Sequence, residues 1–501
     1  MSESYMVKGF DPFQEISNRK PAVSFSLLFF IDLFFCASIF AWVFNPSISD
    51  TTYLILILMT LCVIISFFIN YKVTKSHITV LNLFLAVYFD FFIVATVLII
   101  TGYRPTPLIP DWSFSQMNYA LIVTFLFLVF IMNGYVFFAG HFILGLLPNL
   151  KNKRLSTYRI KLSIFFMMLA SLCTMVLFFH SLGGIDYLLA LSRLRVSIKF
   201  LGTSIYSVPM VVFANMSVFL SLALKKKRMF WFFPLFFYSF FADLISGYRI
   251  NIAALLVTVF IILKDQLKMN NLRPRYVLLA IVCLLLIGPV PLALRGGYSS
   301  KRFRNIDTQI TAVKVFFLKA KWQIITTIVW RDSIEPVMVI TSKLSHTDDY
   351  QYGKYFFSSL LFGFIPLSIW PKRPPIGLQI IGNYFWPTYV KTALGSPGVT
   401  MIGEIYFDGG VVGIVIISCL LGIIFKRAER YKNDCGGNPL SATLYGLVAW
   451  YLAGMMNEVF VPSVGSFLIY FAVWSVLSRF VTREENSIVF QTKKFDEDQI
   501  R

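Results

Sequence analysis

The sequence has little charge. Only 14% of its 501 residues are Asp, Glu, Lys or Arg, whereas soluble domains are near a quarter charged. Hydrophobic residues make up 57% of the chain, and the mean hydropathy is +0.72. These values exclude an ordinary soluble domain and predict a protein whose main solvent is lipid.

The sequence also lacks paired cysteines, clustered metal ligands and internal repeats. Its six cysteines are scattered, and its four histidines lie far apart with no second ligand at helical spacing. Neither a disulfide framework nor a metal site is predicted, and no cofactor is implied. No period of 20 to 50 residues is visible, which weakens the case for a transporter built from internal repeats.

Long apolar runs dominate what is present. Twelve of them approach the roughly 20 residues that cross a bilayer, so the sequence predicts an all-α polytopic bundle of about 12 spans that begins with an uncleaved anchor. The segments 182–200 and 355–370 could each also enter the membrane. The runs lie near 22–44, 52–71, 78–101, 119–147, 160–181, 201–224, 229–246, 250–263, 276–294, 399–425, 438–456 and 463–480.

The short connections alternate in basicity, which predicts the orientation. By the positive-inside rule the basic connections are cytoplasmic, and both termini then lie on that side. We predict four regions: 1–294 with about nine spans, a large basic periplasmic loop at 295–397, three spans in 398–480 and a cytoplasmic tail at 481–501. The basic connections begin at Lys72, Lys151, Lys225, Lys264 and Lys426.

Basic residues on the opposite side are the informative exceptions. Segment 182–200 carries Arg193 and Arg195, and the loop 295–397 holds thirteen basic against five acidic residues. Such a surface is either simply solvated or attracts anionic lipid headgroups and phosphate-bearing substrates.

Arg249 lies in a hairpin too short to reach the outer surface. Only 35 residues separate Arg228 from Lys264, and two crossings need roughly 40. A guanidinium below the surface needs a wet cavity or a partner. Two interpretations stay open: an ion pair with Asp243, or a phosphate clamp.

The outer loop has its own organisation. We predict an amphipathic helix over 308–345, an apolar run at 355–370 on or in the outer leaflet, and a rigid basic turn at 370–375. An aromatic patch around Tyr384 suits either sugar faces or a lipid boundary. Beyond it Glu404 and Asp408 share a helix face, and Glu404 is expected near the outer lipid boundary, where a salt bridge to a loop arginine is the alternative to a functional role.

The order of these motifs resembles the oligosaccharide repeat-unit polymerases, the Wzy-like O-antigen and enterobacterial common antigen polymerases. The matching motifs, in order, are Gly247-Tyr248-Arg249-Ile250-Asn251, Leu294-Arg295, Trp330-Arg331-Asp332, Ile365-Pro366 through Trp370-Pro371-Lys372-Arg373-Pro374, and Gly403-Glu404-Ile405-Tyr406-Phe407-Asp408-Gly409-Gly410.

This resemblance implies a GT-C-like membrane glycosyltransferase that needs no metal. It would join undecaprenyl-diphosphate-linked repeat units on the periplasmic face of the bacterial inner membrane. Membrane lipids would be its partners, a chain-length regulator could be another, and nucleic acid would not be one.

The resemblance and the residue chemistry together suggest roles for particular side chains. Arginines would stabilise the departing diphosphate, with Arg295 and Arg249 first, and Glu404 would accept the proton of the attacking hydroxyl. Asp408, Asp332 and Asp349 remain possible bases. The predicted substrate-binding residues are Arg193, Arg195, Arg302, Arg331, Lys372, Arg373, Trp370 and Tyr384.

Two other functions stay open. A ligase that transfers O-antigen to lipid A would share the basic outer loop, and His346 is the one histidine within it. A flippase for lipid-linked oligosaccharides would share the span count but would have short loops.

Overall fold

A computed structural model describes most of the membrane bundle and part of the outer loop. The described residues are 30–74, 76, 79–101, 112–137, 147–148, 150–151, 153–181, 204–224, 228–246, 249–266, 334–347, 349–362, 370, 372, 378–387, 399–436, 438–454 and 460–483.

Helices occupy eleven of the twelve predicted spans. The one remaining predicted span, 276–294, lies outside the described residues. The helices of the first part are α1 (Phe30–Phe44), α2 (Ser49–Thr74), α3 (Val80–Ile100), α4 (Phe114–Val136), α5 (Thr157–Ser181), α6 (Ser204–Leu222), α7 (Arg228–Ser246) and α8 (Arg249–Gln266). Those of the last part are α12 (Met401–Asp434), α13 (Pro439–Val448, continued by a π-helical turn, Ala449–Gly454) and α14 (Phe460–Val481).

Three short helices lie between the two groups, and one small strand pair closes one end of the bundle. The helices are α9 (Ile334–Thr347), α10 (Lys354–Phe362) and α11 (Leu378–Phe385), and β1 (Arg154–Leu155) pairs antiparallel with β2 (Thr482–Arg483). The all-helical prediction is thus confirmed, with this strand pair as the exception within the described part.

Six of the described helices are long and apolar enough to cross a membrane, and three shorter ones are apolar. The chain is therefore an integral membrane protein. The full count of twelve spans, the GT-C-like arrangement, the four regions and the periplasmic position of 295–397 stay predictions.

The bundle is organised around α4 and α12. In α4, 72% of the membrane-length window is buried, against 22% in α5, so α4 is central and α5 peripheral. Two glycines permit the contact: a Cβ atom on Gly134 would lie 2.1 Å from the carbonyl oxygen of Cys419, and one on Gly422 would lie 2.1 Å from that of Ile131. Small residues allow such backbone approach between membrane helices.

A kink in α12 brings the outer loop against the bundle. The helix begins at Thr400, whose hydroxyl accepts the Gly403 N–H at 3.2 Å. Gly410 then interrupts it with φ 57° and ψ −148°, a conformation that glycine adopts without steric cost. A Cβ atom there would lie 3.0 Å from the Tyr350 ring, so the absent side chain also lets this loop tyrosine pack on the helix.

Candidate functional site

Glu404 forms a buried pair with a tyrosine of the outer loop. Its side chain is 1% exposed, and Oε1 accepts a hydrogen bond from the Tyr355 hydroxyl, which is equally buried. Burial, and then the charge of Glu404, raise the pKa of the Tyr355 phenol well above its ordinary value. The phenol therefore stays protonated and donates to the carboxylate.

Asp408, one helical turn further along α12, caps helix α10. Its Oδ1 accepts the backbone N–H groups of Gly353 and Tyr355, both at 3.1 Å, and its Oδ2 accepts that of Phe356 at 3.3 Å. Carboxylates stabilise a helix N-terminus in this way. The three backbone donors let this carboxylate anchor α10, and its role as a base stays a prediction.

Three phenol groups meet beside this pair. The Tyr406 hydroxyl lies 2.7 Å from that of Tyr119 on α4 and 3.3 Å from that of Tyr350 in the loop after α9. Tyr406 is fully buried, and the ring of Tyr119 stacks on Trp42 of α1 at 5.5 Å. These contacts join α1, α4 and α12 to the outer loop.

Two charged side chains, Asp349 and Lys343, contact Tyr384 of α11. Its hydroxyl donates to Asp349 Oδ2 at 2.8 Å. The Lys343 Nζ lies 4.3 Å from the centre of its ring and donates to its backbone carbonyl at 2.9 Å. The rings of Tyr384 and Tyr355 both pack on Phe407, so these charges and the Glu404 pair belong to one end of the bundle.

The comparison with protein families identifies the chain. The family model for the O-antigen polysaccharide polymerase Wzy matches residues 27–481. The chain belongs to this family. Wzy polymerases join lipid-linked oligosaccharide repeat units, so the chain is a glycosyltransferase-type membrane polymerase of polysaccharide biosynthesis. No curated protein and no solved structure matches it.

Of the residues that sequence alone suggested for this Wzy-family chain, the structure brings four to one end of the bundle: Tyr384 donates to Asp349, and Glu404 and Asp408 both contact the segment 353–356. Tyr355, which donates to Glu404, and Tyr384 both contact the ring of Phe407. Trp370 is partly exposed, with its ring 5.4 Å from Phe362 at the end of α10, and Lys372 is exposed.

The predicted arginines stay predictions. Arg249 begins α8, but its side chain lies outside the described residues. The others lie entirely outside them: Arg193, Arg195, Arg295, Arg302, Arg331 and Arg373.

Asp243, the suggested partner of Arg249, is fully buried in α7. Its two oxygens have no hydrogen bond of ordinary geometry among the described residues, although Asn215 is near. Asn215 in turn donates to the Tyr470 hydroxyl at 2.8 Å. The ion pair of Asp243 with Arg249 stays a prediction.

Four residues of the site had no prior assignment: Lys343, Tyr119, Tyr350 and Tyr355. In the sequence, Tyr355 marks only the start of an apolar run, and Tyr119 only the start of a span. Their sequence signal is weak, because a tyrosine at a span end is also typical of an aromatic belt. The salt bridge from Glu404 to a loop arginine stays a prediction, and among the described residues Glu404 accepts a hydrogen bond from the Tyr355 phenol.

Proposed function

We propose that this Wzy-family chain elongates a surface polysaccharide on the periplasmic face of the bacterial inner membrane. The growing glycan on undecaprenyl diphosphate is transferred to the non-reducing end of the next lipid-linked repeat unit, without nucleotide sugar or metal. The family match over residues 27–481 carries this proposal.

The depth of the site supports an interfacial reaction. Glu404 and Lys426 are 22 residues apart on α12, a rise of up to about 33 Å. The hydrocarbon core of a bilayer is about 30 Å thick. With Lys426 at the cytoplasmic boundary, Glu404 lies near the outer one, where the diphosphate of a lipid-linked sugar resides.

Arginines are the proposed electrostatic catalysts. The bond from C1 to the diphosphate oxygen breaks as the bond from C1 to the acceptor oxygen forms, and negative charge gathers on the departing undecaprenyl diphosphate. We assign Arg295, Arg249 and Arg302 to that charge, and Arg193 and Arg195 to the acceptor's diphosphate. Arg331, Lys372, Arg373, Trp370 and Tyr384 would complete the substrate contacts.

Glu404 is the proposed final proton acceptor, with Tyr355 between it and the sugar. The acceptor hydroxyl would give its proton to the Tyr355 oxygen while the phenol proton passes to the carboxylate. The hydrogen bond between the two side chains supports this relay. It leaves a neutral acid, an unchanged tyrosine and a new glycosidic bond.

The test uses a deletion strain complemented with Arg295→Ala or Arg249→Ala. Lipid A that carries only single repeat units, in place of a ladder, is expected. Arg479→Ala is the matched control, because Arg479 lies at the far end of α14 and is exposed; it should retain the ladder. Loss of all glycan on lipid A would instead favour a ligase, and repeat units retained on the cytoplasmic side would favour a flippase.

The face of the membrane is tested separately by cysteine labelling. Tyr352 is 79% exposed in the outer loop, and Asp434 is exposed at the other end of α12. In cells with a permeabilised outer membrane, a membrane-impermeant maleimide should label Tyr352→Cys and leave Asp434→Cys unlabelled. The reverse pattern would refute the periplasmic assignment.

A further inference from the structure

An exposed surface adjoins the buried Glu404–Tyr355 pair. We name it the tyrosine platform and define it by Lys343, Asp349, Tyr350, Tyr352 and Tyr384. Asp349, Lys343 and Tyr352 are exposed, and the other two rings are partly exposed. The platform thus offers aromatic faces together with one acceptor group and one donor group.

Among the described residues, Asp349 is the accessible carboxylate at this end of the bundle. Glu404 and Glu335 are buried, and Asp408 is held by three backbone N–H groups. Asp349, in contrast, is exposed and is oriented by the hydrogen bond from Tyr384 to its Oδ2.

The backbone at Tyr352 is strained. Its φ is +46°, and it is the one non-glycine residue with positive φ in the described part of the chain; Gly353 follows with φ +86°. A bulky side chain rarely adopts this conformation. The ring gains little from burial in return, because the side chain is 79% exposed. Strain of this kind, retained for an exposed ring, is characteristic of ligand sites.

Contacts with α12 hold the segment 350–352 of the platform in place. The Tyr350 ring lies against Gly410 and its hydroxyl against that of Tyr406. The Gln351 N–H donates to the Phe407 carbonyl at 3.3 Å. The Tyr352 ring meets that of Tyr350 edge-on, with centroids 6.1 Å apart. A surface fixed in this way loses little conformational entropy when a ligand binds.

The platform combines aromatic rings with a carboxylate and an ammonium group, and this combination favours one class of ligand over the others. A lipid chain would have to cover the Lys343 and Asp349 charges, which is costly. A diphosphate would be repelled by Asp349. A sugar ring suits both features, since its apolar face stacks on an aromatic ring and its hydroxyls pair with a carboxylate and an ammonium.

We infer that the tyrosine platform is a saccharide subsite for a sugar of the repeat unit. Tyr352 stacks on the pyranose ring, Asp349 accepts a hydrogen bond from a sugar hydroxyl, and Lys343 donates one. This assignment rests on the proposed polymerase function, because only a glycan substrate at this membrane face would reach it.

The test measures binding without chemistry. The full chain in nanodiscs of phosphatidylethanolamine and phosphatidylglycerol is titrated with the lipid-free oligosaccharide that mild acid releases from the producing strain's own lipid-linked repeat units. Asp349→Asn and Tyr352→Gly are expected to weaken binding about tenfold. Glycine suits φ +46°, so Tyr352→Gly removes the ring without a folding penalty. Tyr384→Phe, which frees Asp349 from its orienting bond, should have a smaller effect.

Matched controls change the same residue types elsewhere. Tyr158→Ala and Asp434→Asn alter an exposed tyrosine and an exposed aspartate outside the platform, and both should bind as the parent does. Absence of oligosaccharide binding to the parent, or unchanged binding by both Asp349→Asn and Tyr352→Gly, would overturn the inference.

A kinetic readout separates this inference from the proposed function. In polymerisation with lipid-linked repeat units, platform variants should raise KM about tenfold and leave kcat nearly unchanged. Arg295→Ala should still bind the free oligosaccharide but form no polymer. Polymer formation by Arg295→Ala, with binding still dependent on the platform, would refute the arginine mechanism and keep the subsite.

Discussion

Helix α12 carries a buried glutamate–tyrosine pair at each end, and the two pairs have different surroundings. The outer pair is Glu404 with Tyr355, and the inner pair is Glu429 with Tyr135. The two glutamates are 25 residues apart, up to about 37 Å along the helix, which is about the thickness of a bilayer core. The names outer and inner follow the orientation predicted from the sequence.

The inner pair belongs to a closed network. The Tyr135 hydroxyl also lies 3.3 Å from Asn70 Oδ1, and Asn70 donates to the side chains of Thr79 and Asn82 at 2.7 Å. The Lys426 Nζ lies 4.3 Å from the centre of the Tyr135 ring. These contacts join α2, α3, α4 and α12, which indicates a structural anchor.

The outer pair is instead continuous with an exposed surface. Tyr355 begins a short helix that Asp408 holds, and the tyrosine platform lies alongside. A buried glutamate therefore does not by itself mark an active site. The difference lies in what surrounds it: interlocked helices at the inner end, and a solvent-facing aromatic surface at the outer end.

We expect the largest effect from a substitution that disrupts the contact between α4 and α12, because both glutamate–tyrosine pairs depend on the position of α12. Gly422→Val would place side-chain atoms where a Cβ atom already lies 2.1 Å from the Ile131 carbonyl oxygen. Backbone cannot yield cheaply there, and overpacking typically costs about 1–3 kcal/mol or more. We expect a large fall in the melting temperature of the detergent-solubilised protein, or no folded protein. Gly409→Ala is the control, since nothing lies within 4 Å of its added methyl group. A stable Gly422→Val protein would contradict the central α4–α12 contact.

Replacing each tyrosine with phenylalanine distinguishes the two glutamate–tyrosine pairs directly. Tyr135→Phe and Tyr355→Phe each remove the phenol that donates to a buried glutamate, at a cost of about 1–3 kcal/mol in unfolding free energy. Tyr135→Phe should keep its activity per folded molecule. Tyr355→Phe should lose polymerisation by about a hundredfold if the phenol relays the proton.

Thermal unfolding and polymer ladders, both normalised to folded protein, measure these two effects. Equal losses of activity in the two variants would remove the distinction between the ends. Full activity in Tyr355→Phe would exclude the relay through this tyrosine.

The helices were largely predictable because long apolar runs follow directly from the thickness of the bilayer, whereas the orientation that the basic connections indicate stays a prediction. Helices α1 to α8 and α12 to α14 lie on predicted spans, and the shared face of Glu404 and Asp408 meets a single loop segment, Gly353–Phe356. Both patterns are local: the first depends on runs of about twenty residues and the second on a four-residue spacing.

The partners of those carboxylates were not predictable. Tyr355 reaches Glu404 across 49 residues of sequence, and Tyr119 reaches Tyr406 across 287. Such contacts depend on how helices pack, which periodicity does not specify. The basic outer loop made a loop arginine one of two alternatives for Glu404, and the hydrogen bond from the Tyr355 phenol had no signal in charge counting. The strain at Tyr352 likewise has no sequence signal, since a tyrosine is not expected at positive φ.

A smaller effect is expected from removing the cap of the outer helix. Asp408→Ala leaves the N–H groups of Gly353, Tyr355 and Phe356 without their acceptor, and loss of an N-cap costs about 0.5–2 kcal/mol. Hydrogen exchange should speed up at 353–356 while the inner network stays protected. Asp408→Asn, which keeps one acceptor oxygen, should lie between the parent and Asp408→Ala. Unchanged exchange in Asp408→Ala would show that α10 does not depend on this cap.

The smallest expected effect concerns the inner end. Lys432 Nζ lies 2.9 Å from Asp265 Oδ1, and both side chains are mostly shielded, at 16% and 14% exposure. The Lys432 amine also lies 4.5 Å from the centre of the Tyr445 ring. A pair at this boundary is partly solvated, so we expect a coupling of about 1 kcal/mol or less between Lys432→Met and Asp265→Asn in a double-mutant cycle of unfolding free energies. The coupling should shrink as salt is raised.

Polymer length should not change in either single variant, because this contact anchors α12 to α8 far from the outer surface. A shortened ladder at unchanged stability would show that the inner end also affects polymerisation, and the contrast between the two ends of α12 would then fail.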